Sequence, residues 1–198
     1  FVPLVIFASV LSVQAQILLT AEEKEYVKQS PVLKAGSTYG AAPLQFLDKS
    51  GEVEGISKRV LDRISEITGL TFEYQLYHSV QEILASDSVL VFGIPMNYAP
   101  SYMLLSKPFL EAETILYLNS AVEPDNLDEK VYAAVRGSSL PEGIKEEYSL
   151  YFNTREESID AVNSGQADYG YGNAYSVAYY KLLKGYQNLV TVPHKKEA

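Results

Sequence analysis

Strand and helix patterns alternate in two separate stretches of this chain, and this alternation constrains its fold more than any other feature. In the first stretch, apolar residues recur at helical spacing from Ile56, the helix pattern ends at Gly69, and a strand pattern follows at 71–74. The second stretch comes after the extended segment 113–119 and begins with a strand pattern at 131–135. Two such units joined by an extended crossover predict an α/β fold of two lobes with a cleft between them.

Local patterns within these stretches assign individual elements. Thr20 and Glu23 form a capping-box pattern, which predicts the start of a helix. The apolar run 89–94 has the length of a strand that is buried on both faces, which indicates a parallel sheet. In the second stretch, helices are predicted at 141–148, 154–164 and 173–184, and a short strand at 167–170. Thr154 and Glu157 form a second capping-box pattern at the start of the helix at 154–164.

The start of the chain differs in composition from the rest. Segment 1–19 is almost wholly apolar and uncharged, and Val13, Gln14 and Ala15 have the small-residue spacing of a signal-peptidase site. Neither an initiating Met nor a basic region precedes it. We interpret segment 1–19 as the remnant of a signal peptide or membrane anchor, and a buried core helix is the alternative. The rest of the chain is therefore predicted to lie outside the cytoplasmic membrane.

Composition excludes several classes of chemistry. The 198 residues include no Cys and two His, so we expect no thiol catalysis, no disulfide and no metal site. A formal net charge of -9 repels nucleic acid, which we do not expect as a partner. The sequence has no serine-nucleophile elbow, phosphate loop or dinucleotide-binding glycine pattern, so we expect no cofactor and no catalytic residue. An enzyme would need a cleft acid with a raised pKa, for which Asp168 and Glu111 are the candidates.

Gly137, Ser138 and Ser139 form the first segment suited to binding. They follow the predicted strand at 131–135 and precede the predicted helix at 141–148. Their backbone N–H groups and hydroxyls would then lie at the positive end of a helix dipole, which suits an anion or carboxylate. The alternative is an ordinary N-cap that binds only its own backbone.

The second such segment, 168–173, lies between a predicted strand and the helix at 173–184. Ligands of open α/β sheets gather at the carboxyl ends of strands. On this basis Asp168 would hold an ammonium group, Tyr171 would contact the ligand, and Asn173 would cap the helix or donate to the ligand. The alternatives are that Asp168 caps a turn and that Tyr171 belongs to an aromatic core stripe.

A series of short motifs runs along the chain in a fixed order. The motifs are Gly36-Ser37-x-Tyr39, Pro43-Leu44-x-Phe46, Asp48-x-x-Gly51, Gly55-Ile56, Thr68-Gly69-Leu70, Leu105-Ser106-Lys107-Pro108-Phe109, Gly137-Ser138-Ser139 and Gly165-x-Ala167-Asp168. Their order and spacing resemble the family 3 extracellular solute-binding proteins over nearly all of 19–193. The opening at 19–23 and the run 168–175 are most similar to the version found as the sensor domain of bacterial transmembrane histidine kinases.

The resemblance implies a two-lobed type II periplasmic-binding-protein fold, a Venus flytrap that closes on a small ligand. It assigns 20–110 to lobe 1, 111–193 to lobe 2, and 194–198 to a truncated return toward lobe 1. Lobe 1 would then be incomplete at its C-terminus.

The same resemblance implies positions for the ligand-binding residues. Tyr39 and Phe46 match the lobe 1 cleft wall, Ser106 the start of the crossover, and Asp168 the acid that holds an amino group in amino-acid binders. The full set of predicted ligand-binding residues is Tyr39, Phe46, Ser106, Ser138, Ser139, Asp168 and Tyr171.

Two departures from the family's amino-acid binders bear on the ligand. The arginine that clamps the ligand carboxylate in those proteins has no counterpart in 98–103. Lys58 or Arg59 stands where an acid is usual. These departures argue against an ordinary free amino acid as the ligand.

We therefore predict a non-enzymatic, ligand-sensing extracytoplasmic domain of a bacterial signal-transduction protein that acts by cleft closure. The ligand would be an amino acid or another small polar solute. The full-length receptor would be tethered to the membrane, would dimerise, and would carry a kinase or cyclase module downstream. The alternative is the substrate-binding protein of an ABC-type transporter for amino acids or small polar solutes.

Overall fold

The computed structural model describes residues 19–96 and 99–197, with side chains up to residue 193. The predicted signal peptide or membrane anchor lies outside these residues, apart from Leu19. Within the described ranges, no helix is long and apolar enough to cross a membrane. The helices are α1 (Ala21–Gln29), α2 (Ile56–Thr68), α3 (Val80–Ala85), α4 (Arg155–Ser164) and α5 (Ala174–Lys184). The strands are β1 (Leu33–Thr38), β2 (Phe46–Leu47), β3 (Val53–Glu54), β4 (Phe72–Tyr77), β5 (Leu90–Val91), β6 (Ala112–Asn119), β7 (Tyr132–Val135), β8 (Ser149–Phe152), β9 (Tyr169–Asn173) and β10 (Leu189–Glu197).

The first sheet has the strand order β4-β1-β5, and both of its pairings are parallel. Its buried core joins Ala35 of β1 and Leu76 of β4 to Leu61 of α2, with Phe92 just after β5. Helix α2 ends where the sequence predicts, because Gly69 adopts the left-handed conformation with φ +87°. We call this part of the molecule the first lobe.

The apolar run 89–94 is shorter as a strand than the sequence predicts. Only Leu90 and Val91 join the ladder, and Val89 is 70% exposed. Strand β5 pairs with β1 alone in the described sheet, and Gly93 turns the chain away with φ +66°. The parallel sheet is therefore confirmed, whereas burial of this strand on both faces is wrong.

The second sheet has the order β10-β6-β9-β7-β8 and forms what we call the second lobe. Strand β6 is antiparallel to both β10 and β9, while β7 is parallel to both β8 and β9. Strands β8 and β10 were not predicted from the sequence. Residues 195–197, expected to begin a return toward lobe 1, continue β10 and pair with 112–114 of β6.

The two faces of the second sheet are covered differently. Helices α4 and α5 cover one face, where Ile159, Val177 and Tyr180 pack around the fully buried Tyr117 of β6. Loops cover the other face, where Leu127, Leu140 and Ile144 pack on a second cluster of buried residues. That second cluster is Leu116, Leu118, Val122, Tyr132, Ala134 and Tyr169.

The prediction of a helix at 141–148 is wrong. The segment forms turns and a short 3₁₀ turn at Glu146–Tyr148. Gly143 has φ +85°, a left-handed conformation that ends any helix begun at Pro141. Leu140 and Ile144 instead pack as loop residues on the sheet.

The helix starts predicted at Thr20 and Thr154 are confirmed. Thr20 Oγ1 accepts the Glu23 N–H at 3.2 Å, and the Glu23 carboxylate accepts the Thr20 N–H at 2.7 Å. Thr154 caps α4 by accepting the Glu157 N–H at 3.1 Å. The second half of that box differs from the prediction, because the Glu157 carboxylate accepts the N–H of Asn153.

Candidate functional site

The two lobes meet at the carboxyl edges of their parallel strands. A Cβ atom placed on Gly40, which follows β1, would lie 2.5 Å from the Thr154 Cβ at the start of α4. A Cβ atom placed on Gly137, which follows β7, would lie 3.8 Å from the Ser79 Cβ at the start of α3. At both of these points the two lobes approach each other closely.

The loop after β1 also packs into the second lobe. Ala42 is 3% exposed and lies in the core cluster of α4 and α5, and its N–H donates to the Tyr180 hydroxyl at 3.3 Å. Burial, with the nearby Glu156 carboxylate, raises the pKa of Tyr180 to about 12, so its hydroxyl stays protonated at neutral pH. Phe46 stacks on Tyr179 with ring centroids 6.3 Å apart. Phe46 therefore contacts the second lobe from the first.

A buried polar network fixes this loop in the first lobe. Gln45 is 1% exposed and donates to the Gly93 carbonyl at 3.3 Å, while its side-chain oxygen accepts the Ser57 hydroxyl at 3.3 Å. Ser37, fully buried on β1, donates to the Phe92 carbonyl at 2.6 Å. The loop is thus held to β1, α2 and the turn after β5 together.

Tyr39 and His78 lie side by side where β1 and β4 end. Their ring centroids are 5.0 Å apart, and the Tyr39 N–H donates to the Tyr77 carbonyl at 2.9 Å. Both follow the carboxyl ends of neighbouring parallel strands, where ligands of α/β sheets bind. The predicted position of Tyr39 at the cleft edge agrees with this geometry, while its contact with ligand stays a prediction.

Gly137, Ser138 and Ser139 lie at the cleft edge, but no α-helix follows them as the sequence predicts. The Ser138 hydroxyl donates to the Val135 carbonyl at 2.5 Å, and Ser139 is exposed. Because no α-helix begins at Pro141, the predicted support of an anion by a helix dipole here is wrong. Ser106 is exposed, and its hydroxyl donates to the Lys107 carbonyl at 3.1 Å.

Asp168 lies at the opposite edge of the second sheet. Its carboxylate accepts the Val131 N–H at 2.7 Å, and its own N–H donates to the Val131 carbonyl at 2.8 Å. These contacts are at the amino ends of β7 and β9, whereas Ser138 follows the carboxyl end of β7. The length of β7, about 13 Å at ~3.3 Å per residue, separates the two positions. A single site that contains both Asp168 and Ser138 is therefore wrong, and the turn-capping alternative describes Asp168.

Tyr171 packs in an aromatic cluster of the second sheet. Its ring centroid lies 6.1 Å from those of Tyr132 and Tyr169. Burial raises the pKa of the Tyr171 phenol. The side chain packs against the loop-covered core described above, whereas Tyr179 packs on the helix-covered face and Tyr175 is 40% exposed. These three tyrosines, spaced four apart in the sequence, therefore do not form one core stripe. Contact of Tyr171 with ligand stays a prediction.

The sequence left two roles open for Asn173, and it gave no sign that Arg155 lies at the cleft edge. Asn173 ends β9, and its side-chain oxygen accepts the Ser176 N–H at 2.8 Å, which confirms the capping role. Arg155 begins α4 next to Thr154, and its Nη1 donates to the Tyr117 hydroxyl at 2.9 Å. Recognition of β8 in the sequence would have placed Arg155 at this edge, since it comes three residues after that strand.

The described residues contain no group of three or more His, Cys, Asp or Glu side chains that could hold a metal ion. Glu111, the other candidate acid, precedes β6 and is exposed.

One curated protein with detectable similarity is the virulence sensor protein BvgS of Bordetella pertussis (strain Tohama I). It is 25% identical over 174 residues, which are 81% of this chain and 14% of BvgS. The chain therefore spans a small part of that relative's length. No protein-family model matches the chain.

Solved structures share the fold closely. The BvgS VFT2 domain of Bordetella pertussis, as a double mutant, has a TM-score of 0.75 and 21% identity, with 91% of this chain and 83% of that chain covered. An arginine-bound ArgBP mutant from T. maritima has a TM-score of 0.72 and 14% identity, with 88% of each chain covered. A histidine kinase sensor domain with similarity to periplasmic binding proteins has a TM-score of 0.67 and 17% identity, with 86% and 79% covered. The chain therefore has the two-lobed type II periplasmic-binding-protein fold, which confirms the predicted fold class.

Proposed function

We propose that this chain is an extracytoplasmic, non-enzymatic sensor domain that binds a small ligand between its lobes and signals through cleft closure. The observation that carries the proposal is the meeting of the two lobes at their strand carboxyl edges, with Gly40 against Thr154 and Gly137 against Ser79. Tyr39, His78 and Arg155 follow or adjoin these contacts. The cleft edge therefore combines aromatic, polar and cationic groups in a place that closure encloses.

Similarity to sensor proteins favours signalling over transport. BvgS is a sensor protein by name, and a histidine kinase sensor domain shares the fold. In this proposal the full-length protein is membrane-tethered and dimeric, and its output module lies outside this chain. The alternative, a transporter's substrate-binding protein, is favoured by the fold match to arginine-binding proteins. The complete reading frame distinguishes the two, since a membrane span followed by a kinase domain belongs to a sensor.

Closure in such a domain is a shift between open and closed populations. A ligand moves that equilibrium only by the difference in its affinity for the two states. The contacts of Ala42 with Tyr180 and of Phe46 with Tyr179 join the two lobes, and they would stabilise the closed state.

An engineered disulfide tests this closure. The Ser79→Cys/Gly137→Cys pair would place its Cβ atoms about 3.8 Å apart, which is the ordinary spacing of a disulfide. The chain has no cysteine of its own, so the pair is the only source of thiols. We expect the purified chain to form the intramolecular disulfide under mild oxidation without added ligand, measured by loss of free thiols and by mobility on a non-reducing gel.

The matched control is Ser79→Cys/Gly143→Cys. Gly143 is also a left-handed glycine of the second lobe, with φ +85°, but a Cβ atom there meets nothing within 4 Å. This pair should keep its free thiols. Equal oxidation of both pairs, or none of either, would contradict the closed cleft.

Ligand binding itself is tested by a thermal-shift screen of the chain against amino acids, small carboxylates and amines. A ligand at 100 times its Kd stabilises the folded state by ~2.7 kcal/mol. For a chain of this size, that corresponds to a rise in Tm of about 5–10 °C. If no compound raises the Tm, a small-ligand sensor is the wrong function.

A further inference from the structure

The sides of helix α2 differ in what covers them. Ser57 and Leu61 are buried against the first lobe, with 1% and 7% of their surface exposed. On one flank, Lys58 Nζ lies 2.7 Å from the Asp62 carboxylate, which also accepts the Tyr74 hydroxyl of β4 at 2.7 Å. These contacts anchor α2 to the first lobe through two of its sides.

The remaining flank of α2 is open to solvent. Ile56, Val60 and Ile64 recur every fourth residue and therefore lie in one row along the helix. Together with Arg59 and Arg63 they line a groove of about 420 Å³, and no residue of another described element lines it. Ile64 is 37% exposed, while Ile56 and Val60 are half-buried. An apolar row that the described chain leaves uncovered is typical of a contact surface.

The charged residues beside this groove form a second row. Arg59, Arg63 and Glu66 follow one another at spacings of four and three residues, and all three are exposed. Arg63 Nη1 pairs with the Glu66 carboxylate at 2.7 Å. The Arg59 guanidinium makes no ion pair with any side chain that the structure describes. The row therefore has a cation without a counter-charge at one end and an acid at the other.

The charges of this flank fit a second copy of the chain. A formal net charge of -9 makes most of the surface repel another copy. Helix α2 is an exception, because it has three basic residues and two acidic ones, and two of the chain's four arginines line its groove.

A two-fold axis through the middle of α2 makes the row of charges complementary to itself. The two helices then run antiparallel, and each contact occurs twice. Glu66 of the second copy lies opposite Arg59, and Ile64 of the second copy lies opposite Val60, because both pairs are centred at or next to Asp62. The apolar rows therefore meet in the register that also brings opposite charges together.

We propose that the α2 groove is the contact between two copies of this chain, packed antiparallel about a two-fold axis. This inference rests on the dimeric sensor of the proposed function and deepens it, whichever ligand binds. Each copy covers the apolar row of the other, and Arg59 gains a counter-charge. The carbonyls of Pro43 and Leu44, in the loop that reaches the second lobe, accept the first N–H groups of α2. Dimer contact and lobe contact therefore share one helix.

Analytical ultracentrifugation of the full chain at concentrations up to about 1 mM tests the proposal. We expect an equilibrium between monomer and dimer. Ile64→Glu should abolish the dimer, because it places a charge in the apolar row. Arg59→Glu should raise the dissociation constant of the dimer about tenfold, since the symmetry turns two attractive pairs into two repulsive ones.

A charge swap tests the register of the two helices. Glu66→Arg alone should weaken the dimer as Arg59→Glu does. The combined variant Arg59→Glu/Glu66→Arg restores opposite charges across the axis, so its dissociation constant should return to within about threefold of the wild type. A combined variant that regains the dimer is folded, which separates a lost contact from a lost fold.

The matched control is Leu182→Glu, which makes the same kind of change at an 83% exposed position of α5 in the second lobe. This variant should dimerise as the wild type does. A chain that stays monomeric, a dimer that Leu182→Glu disrupts, or a combined variant no tighter than Arg59→Glu would each overturn the inference. The thermal-shift screen keeps the two proposals apart, because a monomeric chain that a small ligand stabilises leaves the proposed ligand sensing in place.

Discussion

Gly55→Ala is expected to lower the free energy of unfolding by about 4 kcal/mol, more than any surface substitution in this chain. Gly55 has φ 127° and ψ 177°, a region that only glycine occupies readily, and forcing another residue there costs about 1–3 kcal/mol. The new Cβ would also lie 2.7 Å from the Leu44 carbonyl carbon and 2.8 Å from the Gln45 Cα. Both are backbone atoms that cannot rotate away, and overpacking adds about 1–3 kcal/mol.

Gly55→Ala should also disturb the cleft, because Gly55 directly precedes α2 and contacts the loop that reaches the second lobe. Gly55 offers no side chain to cap this helix, and the carbonyls of Pro43 and Leu44 accept the N–H groups of Ile56 and Ser57 at 3.0 and 2.9 Å. The same loop places Ala42 against Tyr180. Displacement of the loop should therefore also slow oxidation of the Ser79→Cys/Gly137→Cys pair.

Urea denaturation measures this effect, with Gly51→Ala as the control. Gly51 also has a positive φ, +87°, but nothing lies within 4 Å of a Cβ placed there. Only the backbone strain of about 1 kcal/mol remains in that variant. Equal destabilisation by the two substitutions would show that the loop does not pack on Gly55 as described.

Sequence patterns predicted those elements whose signals are local. The capping residue Thr20 and the stop at Gly69 each act within one helix turn, and each lies where the sequence predicts. Strands β8 and β10 were not predicted, because their stability depends on pairing with residues far away in the chain, such as Leu189 with Asn119. Local propensity carries little information about such pairings.

The error at Asp168 has a simple physical origin. The sequence predicts a strand at 167–170, which would place the segment from Asp168 to Asn173 near its carboxyl end. The structure has β9 at Tyr169–Asn173, so Asp168 precedes the strand and Asn173 ends it. Since ligands bind at carboxyl ends, a shift of a few residues in the strand moves the predicted acid to the wrong edge of the sheet. The sequence places Ser138 after the carboxyl end of a strand, and this is correct because the end of β7 at Val135 was predicted correctly.

Gly170→Ala is expected to destabilise the chain by about 3 kcal/mol, the upper part of the range for overpacking a core. A Cβ atom on Gly170 would lie 2.5 Å from Tyr117 Cζ and 2.7 Å from Tyr117 Cε2. The Tyr117 ring is fully buried, and its hydroxyl is held by Ser158 and Arg155, so it cannot move aside. Thermal or urea denaturation of the variant measures the loss.

Gly172→Ala, two residues along the same strand, is the matched control. Its Cβ would lie 3.2 Å from Arg155 Cδ and 3.2 Å from Val177 Cγ2, contacts that need shifts of only a few tenths of an ångström. We expect a cost of about 1 kcal/mol in stability. Equal destabilisation by Gly170→Ala and Gly172→Ala would show that Tyr117 does not pack on Gly170 as described.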